Sequence, residues 1–126
     1  MSQLYYLATP YSHSDKNVMD NRFRMACDIT AFLLRNGLNV FSPIAHSHPI
    51  AVLHELPTGF EFWRKYDEGF LSRCTDIIIV KAHGWLNSVG MKHEIQYAID
   101  HGLFMHYMDY PNYQKWFIDE RSRGLI

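Results

Sequence analysis

The sequence predicts an α/β domain in which helices cover both faces of a parallel sheet of four to five strands. Short β-branched or aromatic runs alternate along the chain with longer amphipathic patterns, in the order β-α-β-α-β-α-β. In addition, residues 76–80 are apolar without alternation, which is typical of a parallel strand covered by helices on both faces. We therefore expect residues 76–80 to form a central strand.

Four apolar runs predict the strands. Each is rich in β-branched or aromatic residues and is bounded by Pro, Gly or Asp. They span residues 4–8, 39–41, 76–80 and 103–107. In the first run, Tyr5 and Tyr6 point to opposite faces, so we expect one ring in the core and the hydroxyl of the other at the edge of the sheet.

Helical spacing of apolar side chains predicts four helices. They span residues 17–35, 59–74, 89–101 and 111–123. Asn36-Gly37 and Gly102 are typical C-terminal stop signals, and Pro111 fits the first position of the last helix. The aromatic side chains of that helix, including Trp116, either pack on their own domain or cover a partner subunit.

Length and composition limit the class of protein. A chain of 126 residues fits a single domain over residues 1–126, and a net charge of −1 disfavours a nucleic-acid polymer as partner. Cys27 and Cys74 both lie in apolar helical patterns, which predicts buried thiols in a reducing compartment. Without a signal-type or membrane-spanning run, we expect a cytoplasmic protein with no membrane partner.

The segments that follow the predicted strands are rich in hydroxyl, imidazole and aromatic groups. Ligands of parallel α/β sheets bind beyond the carboxyl ends of the strands, where these segments meet. The candidate binding residues in them are Thr9, Tyr11, His46, His48 and Trp85. His46 and His48 would share one face of an extended segment, which also suggests a metal, but no Cys lies nearby and no H-E-x-x-H helix occurs, so pocket lining or capping is the favoured role. We expect neither a metal nor an organic cofactor.

The helix that begins near residue 89 carries a candidate catalytic carboxylate. Ser88 is a good N-cap, and the free amides that follow it, with Gly90 among them, attract anions. Glu94 flanks the buried stripe of this helix and points back toward its start, which brings it within reach of a ligand. Alternatively, Glu94 only solvates the helix or adds a favourable charge near its N-terminus.

A second candidate carboxylate is Asp67, which lies among large aromatic residues four positions before Leu71. Two carboxylates that meet in one pocket can divide the chemistry, one ionised and the other protonated. The alternative is a surface ion pair with Arg64, three positions earlier. The sequence leaves these two interpretations about even.

Together these residues resemble the nucleoside 2-deoxyribosyltransferase superfamily. The resemblance runs through most of the chain: a first strand with Tyr6, the pattern Asp67-x-x-x-Leu71 before the central strand, and Ser88-x-Gly-x-x-x-Glu94. The last motif is the most specific. Small relatives of the superfamily share three further motifs, which stand here as Tyr11-Ser-His13, Ser47-His-Pro49 and Gly84-Trp85.

The resemblance implies a flavodoxin-like sheet and a covalent mechanism. Glu94 would attack C1′ of a sugar and form a glycosyl-enzyme, Asp67 would protonate or position the leaving base, and Tyr6 would orient the catalytic carboxylate. Water resolving the intermediate makes the protein a hydrolase, whereas a second base makes it a transferase. The superfamily commonly forms dimers or larger assemblies, and an exposed Trp116 would suit such a homo-oligomer.

Ser88 favours one branch of the superfamily, the nucleoside 5′-monophosphate N-glycosidases, which carry Ser six positions before the catalytic Glu. Those enzymes have a Gly-Ser-x-Arg type loop after the first strand, where this chain has Thr9-Pro-Tyr-Ser12, so Arg22 or Arg24 would have to compensate. We therefore expect cleavage of the N-glycosidic bond of a nucleoside 5′-monophosphate or related nucleoside. The alternatives are base exchange and a non-catalytic nucleotide-binding module.

Overall fold

The computed structural model describes residues 2–126 and contains a four-stranded parallel sheet flanked by helices. Its elements are β1 (Tyr5–Ala8), α1 (Lys16–Arg35), β2 (Val40–Phe41), α2 (Pro43–His54), α3 (Phe60–Leu71), β3 (Asp76–Val80), α4 (Val89–His101), β4 (Phe104–Met108) and α5 (Tyr113–Ser122). The strand order is β2-β1-β3-β4, which makes β3 a central strand. This is the α/β, flavodoxin-like architecture expected from the sequence.

Alternation along β1 divides the core into two layers. Tyr5 and Leu7 face one side of the sheet and pack with residues of α1 and α5. Tyr6 and Ala8 face the other side and pack with α3 and α4, and all five residues of β3 are buried between the two layers. The side chain of Tyr6 therefore starts in the core on the side of the sheet that α3 and α4 cover.

The main departure from the predicted elements is α2. Residues 42–49, which follow the second predicted strand and were assigned to no helix, form most of α2, because Ser42 caps it and Pro43 occupies its first turn. The Ser42 hydroxyl accepts a hydrogen bond from the amide of Ala45 at 3.2 Å. Pro49 lies inside the helix without ending it. The segment after β2 therefore presents its side chains with helical rather than extended spacing.

The last helix also differs from the expectation. It begins at Tyr113 after Asn112, and not at Pro111. Trp116 and Phe117 are buried, with 8% and 1% of their surface exposed, in the layer formed with α1. An exposed Trp116 that covers a partner subunit is therefore wrong, because this side chain fills the core of its own chain.

The two free cysteines differ in burial. Cys74 is buried as predicted, whereas Cys27 is only half-buried. No helix within residues 2–126 is long and apolar enough to cross a bilayer.

Candidate active site

A cavity of about 470 Å³ opens where the segments after β1 and β3 meet α2 and α3. This volume lies within the range of small-molecule sites in proteins. Eight of the predicted site residues line it: Tyr6, Thr9, Tyr11, His48, Asp67, Ser88, Gly90 and Glu94. The cavity thus lies at the edge of the sheet where parallel α/β folds bind ligands.

Glu94 is held from two directions. The Ser88 hydroxyl accepts a hydrogen bond from the amide of Met91 at 3.2 Å and fixes the start of α4, while the fully buried Met91 side chain anchors that turn in the core. From the sheet, the Tyr6 hydroxyl donates to Oε2 of Glu94 at 2.5 Å. The carboxylate is therefore joined to β1 as well as to its own helix, which is not the arrangement of a residue that only solvates a surface.

The environment of Glu94 favours its protonated form. The pKa of Glu94 is raised to about 8, mainly by burial and to a smaller extent by the nearby charge of Asp67, while the hydrogen bond from Tyr6 acts in the opposite direction. Burial and the charge of Glu94 also raise the pKa of Tyr6 well above its usual range. Tyr6 consequently keeps its proton at neutral pH and acts on Glu94 as a hydrogen-bond donor.

Asp67, on α3, also lines the cavity, and its Oδ1 atom is buried. Burial raises the pKa of Asp67 to about 7. Within residues 2–126, Asp67 forms no ion pair with Arg64, so the surface pair that the spacing suggested is absent. Because two neighbouring buried carboxylates resist becoming charged together, Asp67 and Glu94 are suited to share one proton near neutral pH.

Unsatisfied polar atoms point to the same cavity. Among residues 2–126, two buried side-chain oxygen or nitrogen atoms lack a hydrogen-bond partner, Oγ1 of Thr9 and Oδ1 of Asp67. Both residues line the cavity. Since buried polar groups are nearly always paired in native proteins, these two atoms are suited to bind a ligand.

The sequence did not predict a second hydrogen-bonded pair, formed by His93 and Glu68. Each is the chain neighbour of a predicted catalytic residue, and both line the cavity. Nε2 of His93 lies in close contact with Oε2 of Glu68, which ties α4 to α3 beside Glu94 and Asp67. The only signal in the sequence was that each lies next to Glu94 or Asp67. The two residues are 25 positions apart, and this spacing does not predict that they form a hydrogen bond.

The sequence model of a protein family described as "Domain of unknown function (DUF1937)" matches residues 3–109. The chain belongs to this family. The matched range runs from β1 through β4 and includes Tyr6, Asp67 and Glu94. No curated protein matches the chain. The family description assigns no activity, and the resemblance to the nucleoside 2-deoxyribosyltransferase superfamily stays a prediction.

Two predicted binding residues of this DUF1937 domain lie outside the cavity lining. Positions two apart on a helix point to different sides, so His48 faces the cavity and His46 does not. His46 instead stacks on Tyr66, and its Nε2 lies 2.7 Å from the Tyr66 hydroxyl. Trp85 packs against the core layer of α3 and α4, with its ring 6.2 Å from that of Tyr107. Neither side chain is placed to contact a ligand in the cavity.

The arginines considered for a phosphate have other positions. Arg22 donates to the carbonyl groups of Tyr11 and Ser12, at 3.3 and 3.1 Å, and to that of His83 at 3.4 Å. It therefore joins the segments that follow β1 and β3. Arg24 is exposed and does not line the cavity. Within residues 2–126, no group of three or more His, Cys, Asp or Glu residues is arranged to hold a metal ion.

Proposed function

We propose that this DUF1937 domain cleaves the N-glycosidic bond of a nucleoside 5′-monophosphate or a related nucleoside. The observation that supports this most is a pair of carboxyl groups with raised pKa values, Glu94 and Asp67, at one cavity, with the Tyr6 hydroxyl donating to Glu94. Two carboxyl groups, one ionised and one protonated, are what glycosyl transfer through an enzyme-bound intermediate requires.

The two carboxyl groups take different roles in this reaction. The hydrogen bond from Tyr6 stabilises negative charge on Glu94, so we assign Glu94 as the nucleophile. Because the two carboxyl groups share a proton near neutral pH, the form that reacts is the one in which this proton lies on Asp67. Glu94 attacks C1′, the bond between C1′ and the base nitrogen breaks, and the base leaves with the bonding electrons and the Asp67 proton. Water then attacks C1′ of the glycosyl ester and gives its proton to Asp67, which restores both residues.

The cavity wall formed by the start of α4 suits the phosphate. The Ser88 oxygen already accepts the Met91 amide, which leaves the Ser88 hydroxyl proton free to donate to an anion. Arg64 also lines the cavity and forms no ion pair within the described part of the chain, so its guanidinium is free for a phosphate at the cavity edge. Thr9 adds an unpaired hydroxyl to the same cavity.

Base release from a panel of ribo- and deoxyribonucleoside monophosphates, followed by chromatography, tests the proposal. We expect Glu94→Gln to lower the rate at least about 10³-fold, because the amide is no longer a nucleophile. The matched control is Glu55→Gln, the same chemical change at an exposed position outside the cavity. Equal base release by wild type and Glu94→Gln contradicts the assignment.

Two alternatives are outcomes of the same experiment. If a second free base is added and a new nucleoside forms, the reaction is base exchange. It differs from hydrolysis only in that a base, and not water, accepts the glycosyl group. Nucleotide binding by calorimetry without base release from any member of the panel favours a non-catalytic nucleotide-binding module. The homo-oligomer implied by the resemblance is tested separately by sedimentation of the purified protein.

A further inference from the structure

One wall of the cavity carries a hydrogen-bonded chain of three side chains from different segments. The Tyr11 hydroxyl lies 2.6 Å from Nδ1 of His48, and Nε2 of His48 lies 3.0 Å from Oδ1 of Asp20. Tyr11 follows β1, His48 is on α2 and Asp20 is on α1. Tyr11 and His48 line the cavity, whereas the Asp20 side chain is 57% exposed behind them.

For a neutral His48 ring, the donors and acceptors of the three groups allow only one direction for the two hydrogen bonds. An ionised carboxylate can only accept, so the ring nitrogen that faces Asp20 carries the hydrogen. In a neutral imidazole the other nitrogen then has a free lone pair, and Nδ1 accepts from the Tyr11 hydroxyl. Burial, followed by the charge of Asp20, raises the pKa of Tyr11, which keeps that hydroxyl protonated and able to donate.

The His48 ring has no other orientation that satisfies its neighbours. It is buried, stacks on Phe23 with ring centres 4.5 Å apart, and meets the Tyr11 ring edge-on. Turning the ring over would place carbon atoms against the Tyr11 oxygen and Asp20 and would lose both hydrogen bonds. The protein therefore holds one tautomer of His48, with hydrogen on Nε2.

We propose that Tyr11 is a specificity-determining residue whose oxygen is fixed as a hydrogen-bond acceptor toward the cavity. Its single proton is committed to His48, so only its lone pairs remain for a ligand. The substrate must then bring an N–H or O–H group to this wall, which is either a sugar hydroxyl or an amino group of the base. A phosphate or keto oxygen placed there would meet lone pairs and be rejected. This inference rests on the proposed function for the identity of the ligand but not for the tautomer.

The first test reads the tautomer directly. Long-range ¹H–¹⁵N spectra of the ¹⁵N-histidine protein at about pH 8 should show His48 with a protonated Nε2 and an unprotonated Nδ1. The signal is assigned among the eight histidines by its loss in His48→Gln. Asp20→Ala should weaken this preference, while Asp28→Ala, at another exposed position of α1, should not. A wild-type His48 protonated on Nδ1 overturns the proposal.

The second test measures binding by calorimetry in a Glu94→Gln background, where turnover is blocked. The probes are adenosine 5′-monophosphate and three analogues, which lack the 2′-hydroxyl, the 3′-hydroxyl or the 6-amino group. One analogue should bind about tenfold or more weakly than the parent nucleotide, since a site built for a donor rejects a ligand without it. Adding Tyr11→Phe should abolish that difference, and the analogue concerned identifies the donor as sugar or base.

The control for the binding measurements with Tyr11→Phe is Tyr97→Phe, because the Tyr97 ring stacks on His101 and does not line the cavity. If Tyr11→Phe leaves every analogue difference unchanged, the acceptor role is wrong. If Tyr11→Phe abolishes the difference between the analogue and the parent nucleotide but the wild-type protein releases no base, the acceptor role of Tyr11 stands and only the proposed function is contradicted. Failure of all four probes to bind also counts against the proposed function, and the tautomer measurement then decides the inference.

Discussion

Two aspartates of this domain have buried carboxylate oxygens in opposite surroundings. Asp76 begins β3 at the amino end of the sheet and is 1% exposed, and both of its carboxylate oxygens are bonded. Oδ1 accepts from the Thr75 hydroxyl at 2.6 Å, and Oδ2 lies 2.7 Å from Nε2 of His106. Asp67 lines the cavity at the other end, where its Oδ1 is buried with no hydrogen-bond partner among residues 2–126 and burial raises its pKa to about 7.

This difference separates a structural carboxylate from one that is available for chemistry. A buried polar atom without a partner costs about 1–3 kcal/mol, so a fold has no stability reason to keep Asp67 as it is. Asp76 shows that the same fold can pair a buried aspartate completely. The unpaired state of Asp67 is therefore best explained by a ligand or a reaction that uses it.

Asp67→Asn should separate the two aspartates most clearly. The amide has the same shape but cannot donate the shared proton to a leaving base, so base release should fall about 10²–10⁴-fold. The free energy of unfolding at neutral pH should stay unchanged or rise, because a buried ionisable group is removed. Steady-state kinetics and urea unfolding measure the two effects. Asp67 is not the acid if activity stays within a few-fold of wild type.

Asp76→Ala should give the reverse pattern. Removal of the carboxylate leaves Nε2 of His106 without its partner and takes one acceptor from the Thr75 hydroxyl, so the free energy of unfolding should fall by about 3 kcal/mol. Base release per folded molecule should not change, because Asp76 does not line the cavity. The control is Asp109→Ala, whose partner Lys81 lies 3.0 Å away on the surface and should contribute less than about 1 kcal/mol. If Asp76→Ala and Asp109→Ala lowered the free energy of unfolding equally, the structural role of Asp76 would be contradicted.

The sequence predicted the sheet because its signals there are local. The uninterrupted apolar run of β3 and the Ser88 cap and Gly102 stop of α4 give those two elements with the bounds that the structure has. α2 was missed because it contains Pro49 and no clear apolar stripe, although Ser42 and Pro43 are a good helix start. Local signals thus placed Glu94 on its helix but gave the wrong spacing to His46 and His48.

The partners of the site residues depend on contacts that spacing does not reveal. His48 and Asp20 are 28 positions apart, and they meet only because α1 packs beside α2. The sequence showed that Tyr5 and Tyr6 face opposite sides, but the bond from Tyr6 to Glu94 spans 88 positions. Likewise, only the packing of α3 decides that Asp67 turns toward the cavity and not toward Arg64.

The smallest expected effect is a pH dependence of stability that comes from the cavity carboxylates. In the unfolded chain these groups ionise near about pH 4, whereas folding raises the pKa of Glu94 to about 8 and that of Asp67 to about 7. Between these values the folded state holds protons that the unfolded state has released. Raising the pH from about 5 to 9 should therefore lower the free energy of unfolding.

Glu94→Gln should flatten this dependence, because one of the two groups no longer titrates while its amide oxygen still accepts from Tyr6. At about pH 9 the variant should be more stable than wild type by on the order of 1 kcal/mol, since one pKa unit corresponds to about 1.4 kcal/mol and solvent in the cavity screens the charge. Urea unfolding at about pH 5, 7 and 9 measures the difference, with Glu55→Gln as the exposed control. Parallel curves for Glu94→Gln and wild type would mean that Glu94 is ionised in the folded protein, and the Asp67 proton would then be the only one held in the cavity.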